Sequence, residues 1–129
     1  MPGGPIRSVS EAARTRGTDA QGMKQLSVAE LSEWLADPAR EPPLLLDVRE
    51  PWEFALCRIG GSELVPLRSL AARLASFDRG RPIVCICHHG HRSFHAGLGL
   101  ERHGWRDVYN LIGGVDAWAR QIDRSMAVY

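Results

Sequence analysis

The chain has 129 residues, a length that fits one domain with a core large enough to fold without stabilising cross-links. Lysine and arginine number 16 against 15 aspartates and glutamates, so the net charge of +1 excludes a general attraction to nucleic acid or membranes. Three cysteines do not make a disulfide framework, and no stretch approaches the roughly 20 apolar residues of a membrane-spanning helix. We therefore expect a cytoplasmic protein in a reducing compartment, without a secretory signal.

Residues 1–22 differ from the rest of the chain. They are rich in Gly, Ser, Thr, Arg and Ala and have no sustained apolar periodicity. This composition predicts a flexible N-terminal tail, either a native extension or a remnant added for expression. The predicted domain spans residues 23–129.

Strand and helix patterns alternate through this domain. Residues 27–30 form a capping box that begins a helix, and Pro51 fits the first turn of another. The continuous apolar run over 44–48 is typical of a strand covered on both faces. The predicted strands are 25–26, 44–48, 62–65, 83–86 and 108–111, and the predicted helices are 27–36, 51–56, 67–77, 93–103 and 115–122.

This alternation predicts an α/β fold with a mostly parallel sheet of about five strands and helices on both faces. Ligands of such sheets bind beyond the carboxyl ends of the strands. Cys87 lies at one such end, Asp47 and Arg49 at a second, and the Gly113-Gly114 turn at a third. We expect the helix layers to be packed by the four tryptophans, Trp34, Trp52, Trp105 and Trp118.

The turn between the strand at 83–86 and the following helix has the most informative sequence, Cys87-His88-His89-Gly90-His91-Arg92-Ser93. Backbone N–H groups of such a turn form an anion-binding nest, and the positive end of the helix dipole faces the same place. Both features favour a thiolate, which is the nucleophilic form of cysteine. The loop therefore predicts a nucleophilic Cys87.

Other roles for the cysteines and histidines carry less weight. Zinc accepts both residue types, but these lie within seven positions and have no second ligand cluster along the chain, so we expect no native metal. Cys85 and Cys57 are expected to be small buried hydrophobes, with Cys57 the better candidate for a resolving thiol. We expect His88 to point to solvent; the side-chain roles of His89 and His91 stay open.

Three segments resemble the rhodanese-like sulfurtransferases, specifically the small single-domain bacterial type. They are the cysteine loop, the stretch from Leu45 to Phe54 with its Asp47-Val48-Arg49-Glu50 core, and the stretch from Asn110 to Trp118. The resemblance covers roughly residues 26–122. It departs at residues 57–62, where Arg58 and Gly60 replace the histidine and proline that the family usually has.

The resemblance implies a rhodanese-like fold and a sulfurtransferase without cofactor or metal. Cys87 would take a sulfane sulfur from thiosulfate or a similar small-molecule donor as a persulfide. It would pass that sulfur to cyanide in an assay, or to a thiol in the cell, with a protein thiol as a further candidate acceptor. No nucleic acid or membrane partner is expected, and the protein would be a monomer or weak dimer. The implied substrate-binding residues are His88, His89, Gly90, His91, Arg92 and Ser93, and those supporting the loop are Asp47, Arg49 and Arg58.

Two other functions compete with sulfur transfer. Phosphatases and arsenate reductases of this fold use five residues between cysteine and arginine, whereas four lie between Cys87 and Arg92, which favours the sulfurtransferase. Non-enzymatic rhodanese-like interaction modules commonly lack the cysteine that is present here.

Arg92 is expected to face an anionic donor, or else to form a structural salt bridge to Asp47 or a similar group.

Overall fold

The computed structural model describes residues 22–129, so the predicted tail over 1–22 lies outside the described residues except for Gly22. In chain order the elements are β1 (Lys24–Leu26), α1 (Val28–Ala36), β2 (Leu44–Asp47), α2 (Pro51–Leu56), β3 (Glu63–Leu64), α3 (Leu70–Arg73), β4 (Ile83–Ile86), α4 (His91–Arg102), β5 (Val108–Leu111) and α5 (Gly114–Gln121). Short 3₁₀ turns at Leu67–Ser69 and Leu74–Ser76 flank α3. Among these described helices, none is long and apolar enough to cross a bilayer.

The five strands form one sheet in the order β1-β5-β4-β2-β3, and every neighbouring pair is parallel. The predicted α/β architecture is therefore confirmed. In the register of the sheet, Cys85 of β4 lies between Leu46 of β2 and Asn110 of β5. The carboxyl ends of these three central strands consequently meet at one edge, where Cys87 follows β4.

A hydrophobic core lies on each face of the sheet. Helices α1 and α5 contribute to the core that contains Val84 and Ile86, whereas α3 and α4 contribute to the one that contains Ile83 and Cys85. This division follows the period-2 alternation of a strand. Cys87 belongs to the second core together with Cys85, so the two thiols leave the chain on the same side.

Helix α1 begins with the predicted capping box. The Ser27 hydroxyl accepts the Glu30 N–H at 3.0 Å, and the Glu30 carboxylate accepts the Ser27 N–H at 2.8 Å. The two contacts satisfy N–H groups that a helix start leaves without intrahelical partners. The apolar face of α1 can then pack on the sheet through Leu31 and Trp34, which are 0% and 4% exposed.

Three local predictions differ from the structure. The continuous helix over 67–77 is instead a 3₁₀–α–3₁₀ succession, and the helix predicted from Ser93 begins at His91. The prediction that all four tryptophans pack the helix layers is wrong for Trp52, which is 62% exposed. Trp52 lies on the outer side of the six-residue helix α2 and meets the ring of Tyr129 edge-on at 5.9 Å between centroids.

Candidate active site

Cys87 lies immediately after β4 at the bottom of the loop, and it is 1% exposed. Its Sγ accepts the backbone N–H of Gly90 at 3.1 Å and the backbone N–H of Ser93 at 3.3 Å. Ser93 is in the first turn of α4, where N–H groups have no carbonyl one turn earlier to bond. The sulfur thus occupies a nest made by one loop amide and one helix N-terminal amide.

The turn that forms this nest requires a glycine at position 90. Gly90 has φ +107°, a left-handed conformation that residues with a Cβ avoid. A Cβ at this position would also lie 3.4 Å from the amide nitrogen of Gly113 and from the carbonyl oxygen of Leu111. Glycine at position 90 therefore allows the turn that directs its N–H at the Cys87 sulfur, and its part in substrate binding stays a prediction.

The outer side of the loop is held by the start of α5. The N–H of Val115 donates to the carbonyl of Cys87 at 2.9 Å, and the N–H of Asp116 donates to that of His88 at 3.1 Å. Gly114 makes this approach possible, because a Cβ there would lie within 2.6 Å of the His88 carbonyl carbon. The Gly113-Gly114 turn thus brings a second helix N-terminus against the cysteine loop.

The hydroxyl of Ser93 connects the sulfur to β5. Its Oγ lies 3.2 Å from Sγ of Cys87 and donates to Oδ1 of Asn110 at 2.5 Å. Sequence reasoning included Asn110 in a family motif but gave it no role in the site. A polar residue inside a four-residue strand that is otherwise apolar and buried was the available signal.

Arg92 is paired with Glu53 rather than Asp47. Its two terminal nitrogens donate to the two carboxylate oxygens at 2.7 and 2.9 Å, which joins the start of α4 to α2. The hydrogen bonds from Arg92 outweigh the opposite effect of burial and lower the pKa of Glu53 to about 2. Glu53, 4% exposed, is a structural residue of the site that sequence reasoning missed.

Asp47 and Arg49 form a fully buried ion pair behind the loop, with contacts of 2.8 to 3.1 Å. Arg49 also donates to the carbonyl of Cys57 at 2.6 Å and to the hydroxyl of Tyr129 at 2.8 Å. That hydroxyl in turn donates to Glu53 at 2.8 Å. A continuous chain of polar contacts therefore runs from Asp47 to Arg92 through Arg49, Tyr129 and Glu53.

Arg58 lies outside this chain of contacts. It is exposed, and its guanidinium lies 4.7 Å from the centroid of the Phe54 ring. The structure places it on the surface just after α2, where it makes a cation–π contact with a ring of that helix.

The loop histidines do not all behave as expected. The expectation that His88 points to solvent is wrong, because its ring is stacked between those of His89 and Tyr129, each 3.9 Å away between centroids. Burial and the neighbouring His89 lower the pKa of His88 below its usual value. His89 and His91 are exposed.

Within residues 22–129, a set of side chains close enough to approach one metal ion is His88, His89 and Asp116. Their donor atoms lie within 4.8 Å of one another, and neither Cys85 nor Cys87 belongs to the set. The stacked rings of His88 and His89 have planes that differ by 29°, so the lone pairs of their nitrogens are poorly directed at a common ion. Asp116 is also paired with Arg120 at 3.0 Å.

The other thiols have surroundings that differ from those of Cys87. Burial raises the pKa of the Cys85 thiol to about 12, which keeps it protonated and inert. Cys57 belongs to the hydrophobic core on the opposite face of the sheet. Neither arrangement favours a resolving thiol for Cys87.

A cavity of about 300 Å³ lies beside the loop. It is bordered by Gly90, whose N–H donates to the Cys87 sulfur, and by Asn110, whose side-chain amide donates to the carbonyl of Gly90. Its remaining walls combine imidazole, amide and apolar side chains with the backbone of the turn after β5: Gln25, His89, His91, Phe94, His95, Ile112 and Gly113.

Comparison with known proteins identifies a family for the greater part of the chain. Residues 27–121 match the rhodanese-like domain. A sulfurtransferase of Allochromatium vinosum is 35% identical over 98 residues, which cover 76% of this chain and 90% of that protein. Thiosulfate sulfurtransferase GlpE of Pseudomonas aeruginosa is 36% identical over 74 residues, covering 57% and 67%.

A longer relative contains the similarity as one part. The probable adenylyltransferase/sulfurtransferase MoeZ of Mycobacterium tuberculosis is 36% identical over 102 residues, which are 78% of this chain. The chain spans 26% of the length of that protein.

Solved structures agree on the fold. A rhodanese-like domain protein from Staphylococcus aureus has a TM-score of 0.70 and 29% identity, with 83% of this chain and 99% of that one covered. The human single-domain sulfurtransferase TSTD1 has a TM-score of 0.69 at 24% identity, covering 78% and 98%, which is a likeness of fold.

Proposed function

Because the chain belongs to the rhodanese-like domain family, we propose that it is a sulfurtransferase that carries sulfane sulfur on Cys87. Relatives named as sulfurtransferases support sulfur transfer as the general activity. The proposed donor is thiosulfate or a similar small molecule. The proposed acceptor is cyanide in an assay and a thiol, small or on a protein, in the cell.

The observation that carries this proposal is the pair of N–H groups directed at the Cys87 sulfur from Gly90 and Ser93. Fixed donors around a buried sulfur favour negative charge there, on the thiolate and equally on a persulfide. They need no rearrangement when that charge develops, because the turn at Gly90 and the start of α4 already hold them in place. A buried cysteine with only a packing role has no need of such donors.

The proposed reaction has two covalent steps. In the first, the Cys87 thiolate attacks the outer sulfur of thiosulfate; a new S–S bond forms, and the bond to the sulfite sulfur breaks with its electron pair leaving on sulfite. In the second, the lone pair of cyanide or of a thiolate attacks the outer sulfur, and the pair of the broken S–S bond returns to Cys87. Two such half-reactions predict ping-pong kinetics.

Loop length supports sulfur transfer over phosphate chemistry. Four residues separate Cys87 from Arg92, one fewer than in the phosphatases of this fold, so the nest encloses a single sulfur more readily than a tetrahedral oxyanion. Both terminal nitrogens of Arg92 are also engaged by Glu53. An interaction module without activity would have no use for a sulfur held in this way.

The remaining expectations belong to the same proposal. A reducing, cytoplasmic location keeps the three free thiols reduced. We propose that the protein works without a metal or cofactor and as a monomer or weak dimer.

Intact-mass spectrometry tests the proposal directly. Incubation with thiosulfate should add the mass of one sulfur atom to the protein, and later addition of cyanide should remove it and release thiocyanate. Cys87→Ser should show neither change and should retain its fold. Cys85→Ala, which removes a thiol two residues earlier on the same side of the chain, is the matched control and should load sulfur normally.

A loaded Cys87→Ser variant would contradict the assignment of the nucleophile. A wild-type protein that takes up no sulfur from thiosulfate, from a persulfide donor or from a polysulfide would contradict sulfur transfer itself. Circular dichroism of each variant distinguishes loss of chemistry from loss of fold.

A further inference from the structure

Tyr129 lies outside residues 27–121, the part of the chain that matches the rhodanese-like domain, yet its side chain contacts the cysteine loop and the groups that support it. Beyond α5 the chain runs along the core to which α1 and α5 contribute, and Ile122, Met126 and Tyr129 pack there. The segment that follows the matched part of the chain therefore brings an aromatic residue to the loop.

The ring of Tyr129 holds the start of the loop. It is stacked on the ring of His88, the residue after Cys87, with centroids 3.9 Å apart and planes that differ by 5°. The backbone of His88 is fixed separately, because its carbonyl accepts the N–H of Asp116 at 3.1 Å. The ring and the backbone of His88 are thus held from two sides, which restricts the movement of this end of the loop.

The hydroxyl of Tyr129 acts on the other end of the loop. It accepts a hydrogen bond from Arg49 at 2.8 Å, and a guanidinium can only donate, so the hydroxyl hydrogen goes to Glu53, also 2.8 Å away. Burial raises the pKa of Tyr129 to about 12, so this hydrogen is present at neutral pH. The Glu53 carboxylate in turn accepts both terminal nitrogens of Arg92, the residue that ends the loop.

Tyr129 approaches the loop from the side opposite the sulfur. It packs against the core on one face of the sheet, whereas Cys87 belongs to the core on the other face. Between them runs the loop backbone, whose N–H groups at Gly90 and Ser93 donate to the sulfur. Tyr129 can therefore act on the sulfur only through the position of that backbone.

We propose that Tyr129 is a positioning residue that clamps the cysteine loop at both ends, by its ring at His88 and by its hydroxyl through Glu53. The clamp keeps the two N–H groups that face the sulfur in their direction while sulfur is loaded and released. The inference rests on the proposed function of Cys87, but one of its two measurements needs no sulfur transfer.

NMR relaxation dispersion tests the clamp without any sulfur donor, because it detects motion of single amides on the microsecond-to-millisecond timescale. Tyr129→Ala removes the ring and the hydroxyl together, so the amides of Gly90 and Ser93 should show larger dispersion than in wild type. Amides within β4 should stay unchanged. Val108→Ala is the matched control: it truncates a buried side chain at the amino end of β5, away from the loop, and should leave the loop amides as in wild type.

Sulfur transfer from thiosulfate to cyanide provides the second measurement. In Tyr129→Ala, kcat/KM for thiosulfate per folded protein should fall at least about tenfold, since misdirected N–H groups no longer stabilise charge on the sulfur. Val108→Ala should keep the wild-type value at a temperature where both variants are folded. If wild type itself transfers no sulfur, the proposed function fails, while the dispersion measurement still decides whether the clamp exists.

Tyr129→Phe separates the two contacts of the clamp. It keeps the ring on His88 and removes only the hydroxyl, so kcat/KM should lie between the values of wild type and Tyr129→Ala. Dispersion should remain at Ser93, which follows Arg92. If the alanine variant does not fold, this variant decides alone, and wild-type dispersion with wild-type kcat/KM would overturn the proposal.

Three results with Tyr129→Ala would also refute the clamp. The first is a loop whose amides behave as in wild type. The second is dispersion that spreads equally through β4, because a residue that only stabilises the domain would act on the strands as much as on the loop. The third is a loop that moves without any loss of kcat/KM in an active enzyme, since the position of the loop would then not matter for the reaction.

Discussion

Replacing Gly114 with alanine should damage the fold and the cysteine loop together. Gly114 has φ +59°, and an added Cβ would overlap backbone atoms of Cys87 and His88. Those atoms cannot move freely, because the N–H groups of Val115 and Asp116 hold the same two carbonyls. The substitution therefore forces apart the contact that joins α5 to the loop.

The expected loss has two parts. A left-handed conformation costs a residue with a Cβ about 1–2 kcal/mol, and overpacking against a rigid neighbour costs about 1–3 kcal/mol. Together they predict a loss of about 2–5 kcal/mol in the free energy of unfolding. At about 4 °C per kcal/mol for a domain of this size, the melting temperature should fall by about 8–20 °C.

Gly99→Ala provides the matched control. Gly99 lies inside α4, and a Cβ there would meet nothing within 4 Å. Alanine is favoured over glycine in a helix interior by about 1 kcal/mol, so this variant should melt as high as wild type or a few degrees higher. The two substitutions add the same methyl group and differ only in where it lies.

Thermal unfolding by circular dichroism and steady-state sulfur transfer should be measured on both variants. The folded fraction of Gly114→Ala should lose at least about tenfold in kcat/KM, since displacement of the loop carbonyls misaligns the sulfur and its donors. Gly99→Ala should retain activity. If Gly114→Ala melts within 2 °C of wild type, as a rough threshold set by the same scaling, the close approach of α5 does not constrain the loop and the reasoning is wrong.

Two further predictions concern the groups around the loop. The pKa of Glu53 lies near 2, below its usual value of 4.5, so the stability that it contributes is present above pH 4.5 and is lost as the pH falls toward 2. Glu53→Gln should therefore lower the free energy of unfolding by about 1 kcal/mol at pH 7, because Arg92 is partly exposed and screened. Urea unfolding at several pH values should show this difference disappearing in acid; a constant difference would contradict the ion pair as its cause. Wild type should not hydrolyse aryl phosphates, whereas one residue inserted between His91 and Arg92 should confer measurable hydrolysis; efficient hydrolysis by wild type without sulfur transfer would overturn the argument from loop length.

The sequence by itself determined the succession of strands and helices along the chain, and it indicated Cys87 as the candidate nucleophile. Apolar runs such as β2 and β4 predict buried parallel strands, and a cysteine placed between β4 and α4 necessarily lies near a helix N-terminus. Gly90 and Ser93 are within six positions of Cys87, so the chain between them brings their N–H groups to the sulfur. These relations join residues that are close in the sequence, so the sequence alone can predict them.

The tertiary structure decided which distant groups act on that loop. Asn110 reaches Ser93 across 17 positions, Arg92 meets Glu53 across 39, and Tyr129 meets Glu53 across 76. No periodicity connects such pairs. The sequence accordingly allowed a salt bridge from Arg92 to Asp47 and gave Asn110 no role.

The exposure of single side chains was decided at the same level. His88 is stacked on Tyr129 because the end of the described chain returns to the loop. Trp52 faces outward on α2, the helix whose buried residue is Glu53. Local pattern defines a strand, a turn or a helix start through covalent neighbours and backbone sterics. The register of the sheet and the path of the chain define which elements then pack together, and these depend on the free energy of the whole domain.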